Sequence, residues 1–156
     1  MRKQIMYLVR GLPGSGKTTL AEALASVWFA ADDFFVNDAG VYNYDPAKIT
    51  EAHKDCQKRC AECLEACKHI ADSPVAIHNT FSERWEMEPY FDIAESFNYR
   101  YTVIDLYDGG LNDAELAESN THGVELETIC AMRKRWEHNW REGNPTPPWE
   151  RKLARR

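Results

Sequence analysis

The sequence has no long apolar run and no excess of positive charge. Its 19 lysines and arginines are outnumbered by 25 aspartates and glutamates, which gives a net charge of −6. Because an acidic surface repels phosphates, this balance argues against a protein that coats nucleic acid nonspecifically. The apolar stretch after two basic residues at the N-terminus is too short for a secretory signal or a membrane span. We expect a single cytoplasmic domain without membrane contact.

Cysteine is the residue type to test for metal or disulfide chemistry, because five cysteines are many for 156 residues. Cys56, Cys60, Cys63 and Cys67 recur with helical spacing, and His53 precedes them at a matching offset. One zinc ion cannot gather sulfurs that extend over about 16 Å of a straight helix. Free cysteine packs as a small hydrophobic residue. The pattern favours a buried helical stripe in a reducing compartment over a metal or disulfide site.

Short apolar runs alternate with segments of helical periodicity along the chain. Strands are predicted at 4–9, in the segment WFAADDFF up to Asp32 and Asp33, at 75–80 and at 99–106. Helices are predicted at 17–27, 46–70, 83–97 with an interruption or cap near Pro89, 113–119 and 126–140. This alternation indicates an α/β fold with a parallel sheet that helices cover on both faces.

Glycine is scarce, with 8 residues in the chain, yet three glycines fall between positions 11 and 16. The stretch GLPGSGKT matches the P-loop pattern G-x-x-x-x-G-K-[ST] and lies between a predicted strand and a predicted helix. Such a loop turns backbone N–H groups and a helix N-terminus toward phosphate. A dinucleotide loop is excluded because Thr19 stands where its third glycine is required. The residues predicted to bind a nucleoside triphosphate are Gly11, Pro13, Gly14, Ser15, Gly16, Lys17, Thr18 and Thr19.

Polar side chains follow the second and third predicted strands, at the same sheet edge as the P-loop. Asp32 and Asp33 are candidates for a base that helps a hydroxyl to attack the γ-phosphate. The alternative is that this pair only caps the turn after its strand. His78, Asn79 and Thr80 end the third strand, where they could contact phosphate, metal or acceptor, although a lone histidine is as often structural.

Seven segments together carry a resemblance to a known family. The segments RGLPGSGKTTLA, ADDFF, EAHKDCQKRC, HNT, WEMEPY, NTHGV and RWEH resemble the small P-loop kinases related to polynucleotide kinase, over about 6–138. Relatives in that family include zeta-toxin-like kinases and phage kinases of hydroxymethyluracil in DNA. The resemblance implies a three-layer P-loop NTPase-type fold with a small helical lid. It also implies that ATP and Mg²⁺ are bound.

The resemblance assigns roles to particular residues. It makes Lys17 the phosphate clamp, Thr18 and Asp32 the Mg²⁺ site, and Asp33 the base that accepts the proton of the acceptor hydroxyl. Asn79 and Thr80 match part of a family segment that lies beside the acceptor, so the predicted acceptor-binding residues are Asp33, His78, Asn79 and Thr80.

The sequence departs from the family at two places. His78 stands where the family usually has aspartate, and Phe81 replaces the asparagine that follows, which puts the metal geometry and the acceptor in doubt. The predicted lid, at 118–123, has Glu118 and Ser119 in place of arginines that steady the transferred phosphoryl group. We hypothesise that Arg135 or Arg133, on the next predicted helix, supplies this charge.

The sequence therefore predicts a kinase domain over 1–142, followed by a Pro-rich, basic tail over 143–156. The predicted activity is transfer of the γ-phosphate of ATP to a hydroxyl on DNA or RNA, at a 5′ end or a hydroxymethylated base. A kinase of a small nucleoside, nucleotide or metabolite is an alternative that the acidic charge favours. A noncatalytic ATP-binding module is a third. Some aromatic residues could stack bases, although helical spacing is more typical of packing: Trp85, Tyr90, Trp136 and Trp140.

Overall fold

A computed structural model describes residues 4–152 of the chain. The strands are β1 (Ile5–Gly11), β2 (Val27–Phe29), β3 (Val75–Asn79) and β4 (Arg100–Tyr107). The helices are α1 (Lys17–Leu24), α2 (Ile49–Cys67), α3 (Arg84–Ser96), α4 (Asp113–Ser119) and α5 (Leu126–Arg135), with 3₁₀ helices at Ala31–Phe35, Pro46–Lys48 and Pro148–Glu150. Within residues 4–152, none of the helices combines the length and apolarity that a membrane crossing needs.

The four strands form one parallel sheet in the order β2-β3-β1-β4. Side chains of β1 alternate between two apolar clusters, as the strand period requires. Met6 and Leu8 pack with residues of α2 and α3, whereas Tyr7 and Val9 pack with residues of α1. Helices thus cover both faces of the sheet, which confirms the three-layer α/β fold. Because β1 and β3 are parallel neighbours, their carboxyl ends lie at one edge of the sheet.

The cysteine stripe of α2 faces the larger of these clusters. Cys56 and Cys60 have no exposed surface and Cys67 is buried, while Cys63 is only partly buried. Desolvation raises the pKa of the Cys56 and Cys60 thiols. The predicted buried stripe is confirmed for three of the four helical cysteines, which act as apolar core residues.

The strand predicted for WFAADDFF is wrong over its second half. β2 ends before the aspartate pair, which lies in the 3₁₀ helix Ala31–Phe35. The backbone N–H of Ala30 donates to Asp33 Oδ2 at 2.9 Å, and the N–H of Ala31 donates to Asn79 Oδ1 at 2.8 Å. Side-chain acceptors therefore take these two donors, and the chain turns where a strand would continue.

The first two helices are shorter than predicted. Val27, placed at the end of a helix by its spacing, pairs with Val75 in the sheet instead. Asp45 does cap a helical start, by accepting from the N–H of Ala47 at 3.0 Å, but that start is a separate 3₁₀ turn before α2. α2 ends at Cys67, and Ile70, the predicted end of this helix, is exposed.

Two later helices also differ from the prediction. α3 runs unbroken through Pro89, which lacks the hydrogen bond that a backbone N–H would donate to the carbonyl of Trp85 in the first turn. α5 ends before Trp136, which is fully buried. The N–H of Glu137 then donates to the carbonyl of Ser82 at 2.8 Å. Tertiary contacts of Trp136 and Glu137, the two residues that follow α5, therefore end the helix.

The described part of the predicted tail packs back on the domain. The ring of Trp149 lies 5.4 Å from that of His138 and 6.4 Å from that of Tyr107. The proposed boundary between 142 and 143 stays a prediction, and the basic residues Arg155 and Arg156 lie outside the described residues.

Arg10 of β1 is fully buried, and no sequence pattern identified it. Its guanidinium donates hydrogen bonds at 2.8 to 3.0 Å and stacks on an aromatic ring at 3.9 Å. The acceptors are the carbonyls of Phe81, Ser82 and Glu137 and the carboxylate of Asp105, and the ring is that of Trp136. One side chain thus joins β1, β4, the segment after β3 and the segment after α5.

We expect Arg10→Met to lower the free energy of unfolding by about 3–5 kcal/mol, because it leaves buried carbonyl oxygens without donors. Chemical denaturation should show a lower midpoint with an unchanged slope. Arg10→Lys should recover only part of the loss, since an ammonium cannot reproduce the planar fork. Arg100→Met, at an exposed arginine of β4, is the matched control. Equal stability of the Arg10 and Arg100 variants would contradict this role.

Candidate active site

The P-loop connects β1 to α1 and has a backbone that other residues would strain. Gly14 and Gly16 adopt left-handed conformations, with φ of 84° and 99°. At Gly11, where φ is ordinary, a Cβ would crowd Ser15 Oγ and lie 3.1 Å from Lys17 Cγ. The backbone conformation therefore favours glycine at Gly14 and Gly16, and limited space favours it at Gly11.

Several backbone donors and one buried hydroxyl of the loop lack acceptors within residues 4–152, while its lysine has one. The N-cap of α1 is Gly16, which offers no side chain, so the first-turn amides from Lys17 to Thr19 have no acceptor in the helix. Ser15 Oγ is buried without a hydrogen-bond partner among residues 4–152. Lys17 Nζ donates to the carbonyl of Leu12, within the loop, at 3.1 Å. This set of donors and one cation fits a phosphate group.

Desolvation lowers the pKa of Lys17 to about 8, against an opposing effect of Asp32. A bound triphosphate favours the protonated form, so we expect ATP binding above pH 8 to take up a proton at Lys17. Calorimetric titrations at pH 8.5, in buffers of different ionisation enthalpy, should give an uptake of roughly 0.7 proton per ATP. Lys17→Arg, which is charged throughout this range, should show no such uptake. Uptake that persists in Lys17→Arg would exclude Lys17 as the site.

Asp33 lies in the turn after β2 and is about half exposed. Its Oδ2 accepts from the N–H of Ala30 at 2.9 Å and lies 3.5 Å from Arg59 Nη1. Asp33 therefore caps the turn after β2 with one of its two carboxylate oxygens, Oδ2. No hydrogen bond to Oδ1 is found within the described residues, and this atom remains for a proton-accepting role.

Arg59 of α2 is a residue of the site that the sequence did not reveal. It donates to the carbonyl of Ala30 at 2.8 Å and to Asp55 at 2.9 Å, as well as approaching Asp33. It thereby fixes the turn that bears the aspartate pair. The spacing of Asp55 and Arg59 indicates a helical ion pair, but the contact with a turn 26 residues earlier has no local signal.

Asp32, the other member of the pair, is held by two aromatic residues. Tyr42 Oη donates to Asp32 Oδ1 at 3.3 Å, and Nδ1 of His122 lies 3.5 Å from Asp32 Oδ2. The rings of Tyr42 and His122 are in contact, with centroids 4.5 Å apart. Burial, with the nearby Asp32 charge, raises the pKa of Tyr42, so its hydroxyl stays protonated and donates.

The end of β3 is mostly buried. Desolvation lowers the pKa of His78 to about 4 despite the nearby charge of Asp33, so His78 is neutral at pH 7 and supplies no charge. Both polar atoms of the Asn79 amide have protein partners, because its Nδ2 donates to Cys56 Sγ and its Oδ1 accepts from Ala31. Asn79 thus holds the aspartate turn against β3, while its contact with an acceptor stays a prediction.

The two residues after Asn79 differ in exposure. Thr80 is partly exposed, and its carbonyl accepts from the N–H of Gly11 at 3.2 Å, which ties the end of β3 to the start of the P-loop. Phe81, which stands where the family has asparagine, packs in the core at 1% exposure with a φ of 47°. This position therefore offers no side chain to a ligand.

The predicted lid lies directly on the P-loop. Ser119 Oγ donates to the carbonyl of Gly14 at 3.0 Å, and a Cβ at Gly14 would lie 2.6 Å from the carbonyl oxygen of Leu116. Glu118 is exposed. Of the two positions where the family has arginine, Ser119 thus contacts the P-loop and Glu118 lies on the surface.

The two candidate arginines of α5 have different surroundings. Arg133 is bound to Asp108 at 2.8 Å and to Asp113 at 2.6 Å, and it donates to Tyr107 Oη. These contacts secure the loop after β4 and occupy the guanidinium. Arg135 is about half exposed, and its Nε lies 3.4 Å from Ser82 Oγ and 3.9 Å from Glu83 Oε1. Of the two, Arg135 is the one with a guanidinium that remains accessible, and its role at a phosphoryl group stays a prediction.

These features define a class of protein. The P-loop joins the central strand β1 to α1 at the carboxyl edge of a parallel sheet. At the same edge a carboxylate pair follows β2, which β3 separates from β1. The chain is a P-loop α/β protein. Its sequence matches the family described as AAA domain (AAA_33) over residues 6–108, and it belongs to that family.

Two curated relatives and one solved structure are similar to this chain. Human NEDD4-binding protein 2 is 36% identical over 140 residues, which cover 85% of this chain and 8% of the human protein. The 2',3'-cyclic-nucleotide 3'-phosphodiesterase of Pongo abelii is 29% identical over 134 residues, which cover 82% of this chain and 30% of that protein. The chain therefore spans less than a third of the length of either relative. A chain of the Pnkp1/Rnl/Hen1 RNA repair complex shares the fold, with a TM-score of 0.59 and 18% identity over 85% of this chain and 43% of that one.

Proposed function

We propose that this protein is an ATP-dependent kinase that phosphorylates a hydroxyl group on a nucleic acid, at a 5′ end or a hydroxymethylated base. The observation that carries the proposal is the pairing of two groups at one sheet edge. One is a P-loop whose unpartnered donors and lysine fit phosphate, and the other is a carboxylate with an uncommitted oxygen, Asp33. Binding of a triphosphate and activation of a hydroxyl are the two requirements of phosphoryl transfer.

Each residue of the site has one proposed task. The amides of the first turn of α1 and Lys17 bind the phosphates, and Arg135 adds positive charge. Thr18 and Asp32 hold Mg²⁺, which neutralises charge on the phosphate oxygens when it is bound. The exposed hydroxyl of Thr18 and the half-exposed carboxylate of Asp32 are oxygen ligands of the kind that Mg²⁺ prefers. Asp33 accepts the proton of the acceptor hydroxyl.

The nucleic-acid acceptor is supported by the similarity to a chain of an RNA repair complex. At 18% identity this similarity is one of fold. The net charge of −6 favours the second candidate, a kinase of a small nucleoside, nucleotide or metabolite, because a small acceptor needs no basic groove. These two functions differ in where the transferred phosphate ends.

The test is incubation with γ-labelled ATP and Mg²⁺ in the presence of separate acceptors. The panel consists of 5′-hydroxyl DNA, 5′-hydroxyl RNA, DNA with hydroxymethyluracil, and free nucleosides. Label in a polymer supports the proposal, and label in monomers alone supports the second candidate. ATP binding without transfer to any acceptor would leave a noncatalytic module. Hydrolysis of a 2',3'-cyclic nucleotide without ATP would contradict the kinase proposal and would indicate a phosphodiesterase, the activity in the name of one relative.

A further inference from the structure

The lid, the aspartate turn and the segment after that turn meet at three side chains. His122 comes from the lid, Asp32 from the turn, and Tyr42 from the segment that follows. Each oxygen of the Asp32 carboxylate has its own neighbour, at 3.3 Å from Tyr42 Oη and 3.5 Å from His122 Nδ1. The rings of Tyr42 and His122 also contact each other at a tilt of 43°. We call His122, Asp32 and Tyr42 the lid bridge.

The segment that presents His122 has a fixed backbone. The side-chain Nδ2 of Asn120 donates to the carbonyls of Ala117 and Val124 at 2.9 and 3.0 Å, and its Oδ1 accepts from the N–H of Val124 at 2.8 Å. Ser119, one residue earlier, is bound to Gly14 of the P-loop. His122 therefore reaches Asp32 from a loop that is anchored on both sides.

The segment that presents Tyr42 is anchored as well. Tyr42 forms an antiparallel bridge with Val36, and the N–H of Asn43 donates to the carbonyl of Phe35 at 2.8 Å. The ring of Tyr42 also packs edge-on against Phe35, with centroids 6.2 Å apart. Asp32 is thus held from two independently fixed segments, which restricts both the position and the rotation of its carboxylate.

We propose that His122 and Tyr42 are positioning residues that act through Asp32: they orient its carboxylate for Mg²⁺ and tie the lid to the aspartate turn. This inference rests on the proposed function, in which Asp32 serves the metal. Neither residue is assigned a contact with substrate. Removal of either one should weaken the binding of Mg²⁺ with nucleotide while leaving nucleotide binding without metal nearly unchanged, because the P-loop itself is intact.

Four variants separate this role from general packing. His122→Ala removes one arm of the lid bridge, and His122→Asn keeps a nitrogen near the place of Nδ1. Tyr42→Phe keeps the ring that contacts His122 and removes the hydrogen bond to Asp32. His69→Ala is the control, because His69 is an exposed histidine that lies after α2 and away from the lid bridge. The next residue, Ile70, accepts a hydrogen bond from the side chain of Gln4, just before β1, which places His69 at the opposite edge of the sheet.

The first measurement is calorimetry with a nonhydrolysable ATP analogue, with and without Mg²⁺. For His122→Ala and Tyr42→Phe we expect the Mg²⁺ concentration at half-saturation to rise about 5- to 20-fold, with metal-free affinity within about twofold of wild type. His122→Asn should recover most of the loss. Equal weakening with and without Mg²⁺, or wild-type behaviour of both variants, would overturn the proposal.

The second measurement is hydrogen exchange of the backbone amides in 119–124. Faster exchange is expected in His122→Ala, and exchange at the wild-type rate would contradict the tie between lid and turn. The double variant His122→Ala/Tyr42→Phe should lose less Mg²⁺ affinity than the sum of the single losses, because both residues act on one carboxylate. Neither measurement requires turnover, so an acceptor panel without label would refute the kinase and still leave the lid bridge tested.

Discussion

Lys17→Ala is expected to abolish ATP binding and turnover. Lys17 is the P-loop cation, and its ammonium stays within the loop through the carbonyl of Leu12. Without it, the P-loop itself has no charged side chain to balance the triphosphate. Loss of a charge-assisted contact at a desolvated position should raise the Kd for ATP by about 100-fold or more and reduce kcat/KM by about 1,000-fold or more. Calorimetry and transfer assays measure the two effects.

The controls for Lys17→Ala test whether the fold is intact and whether any lysine would do. Lys58→Ala removes an exposed lysine of α2 and should bind ATP as wild type does. Thermal unfolding of Lys17→Ala should show no large loss of stability, since a desolvated ammonium disfavours the folded state. An alanine variant that binds ATP with wild-type affinity would remove the basis of the kinase assignment.

Asp33→Asn is expected to keep ATP affinity within about threefold and to lower kcat by about 100- to 10,000-fold, the range for loss of a general base. The asparagine oxygen can still accept from Ala30, so the turn should persist. What is lost is the ability of the second oxygen to take a proton. Single-turnover assays with saturating ATP report this step directly.

Asp55→Asn is the matched control for Asp33→Asn, because both carboxylates contact Arg59. If Asp33 acts only through this arginine, Asp55→Asn should lose at least as much activity as Asp33→Asn, because the contact of Asp55 with Arg59 is the shorter one. If Asp33 is the base, Asp55→Asn should retain nearly full turnover. Wild-type kcat in Asp33→Asn would discard the general-base role.

The P-loop was predictable because its function depends on local structure. Three glycines and a lysine within a few residues fix a backbone that only this short segment determines, and the left-handed conformations of Gly14 and Gly16 agree with it. The parallel sheet was predictable for a similar reason, since each strand and helix carries its own period. The aspartate pair was correctly placed after β2, but its 3₁₀ turn depends on Asn79, 48 residues later.

The sequence by itself determined the α/β architecture, the glycine-rich P-loop and the edge of the sheet where the carboxylates lie. The tertiary structure alone decided which side chains support them. Arg10, Arg59, Tyr42 and His122 have no shared motif, and each acts on a residue at least ten positions away. Local patterns record the conformation of neighbours along the chain. Contacts between distant segments arise only when packing brings these segments together, so the residues that orient Asp32 and Asp33 could be read from the fold and not from the sequence.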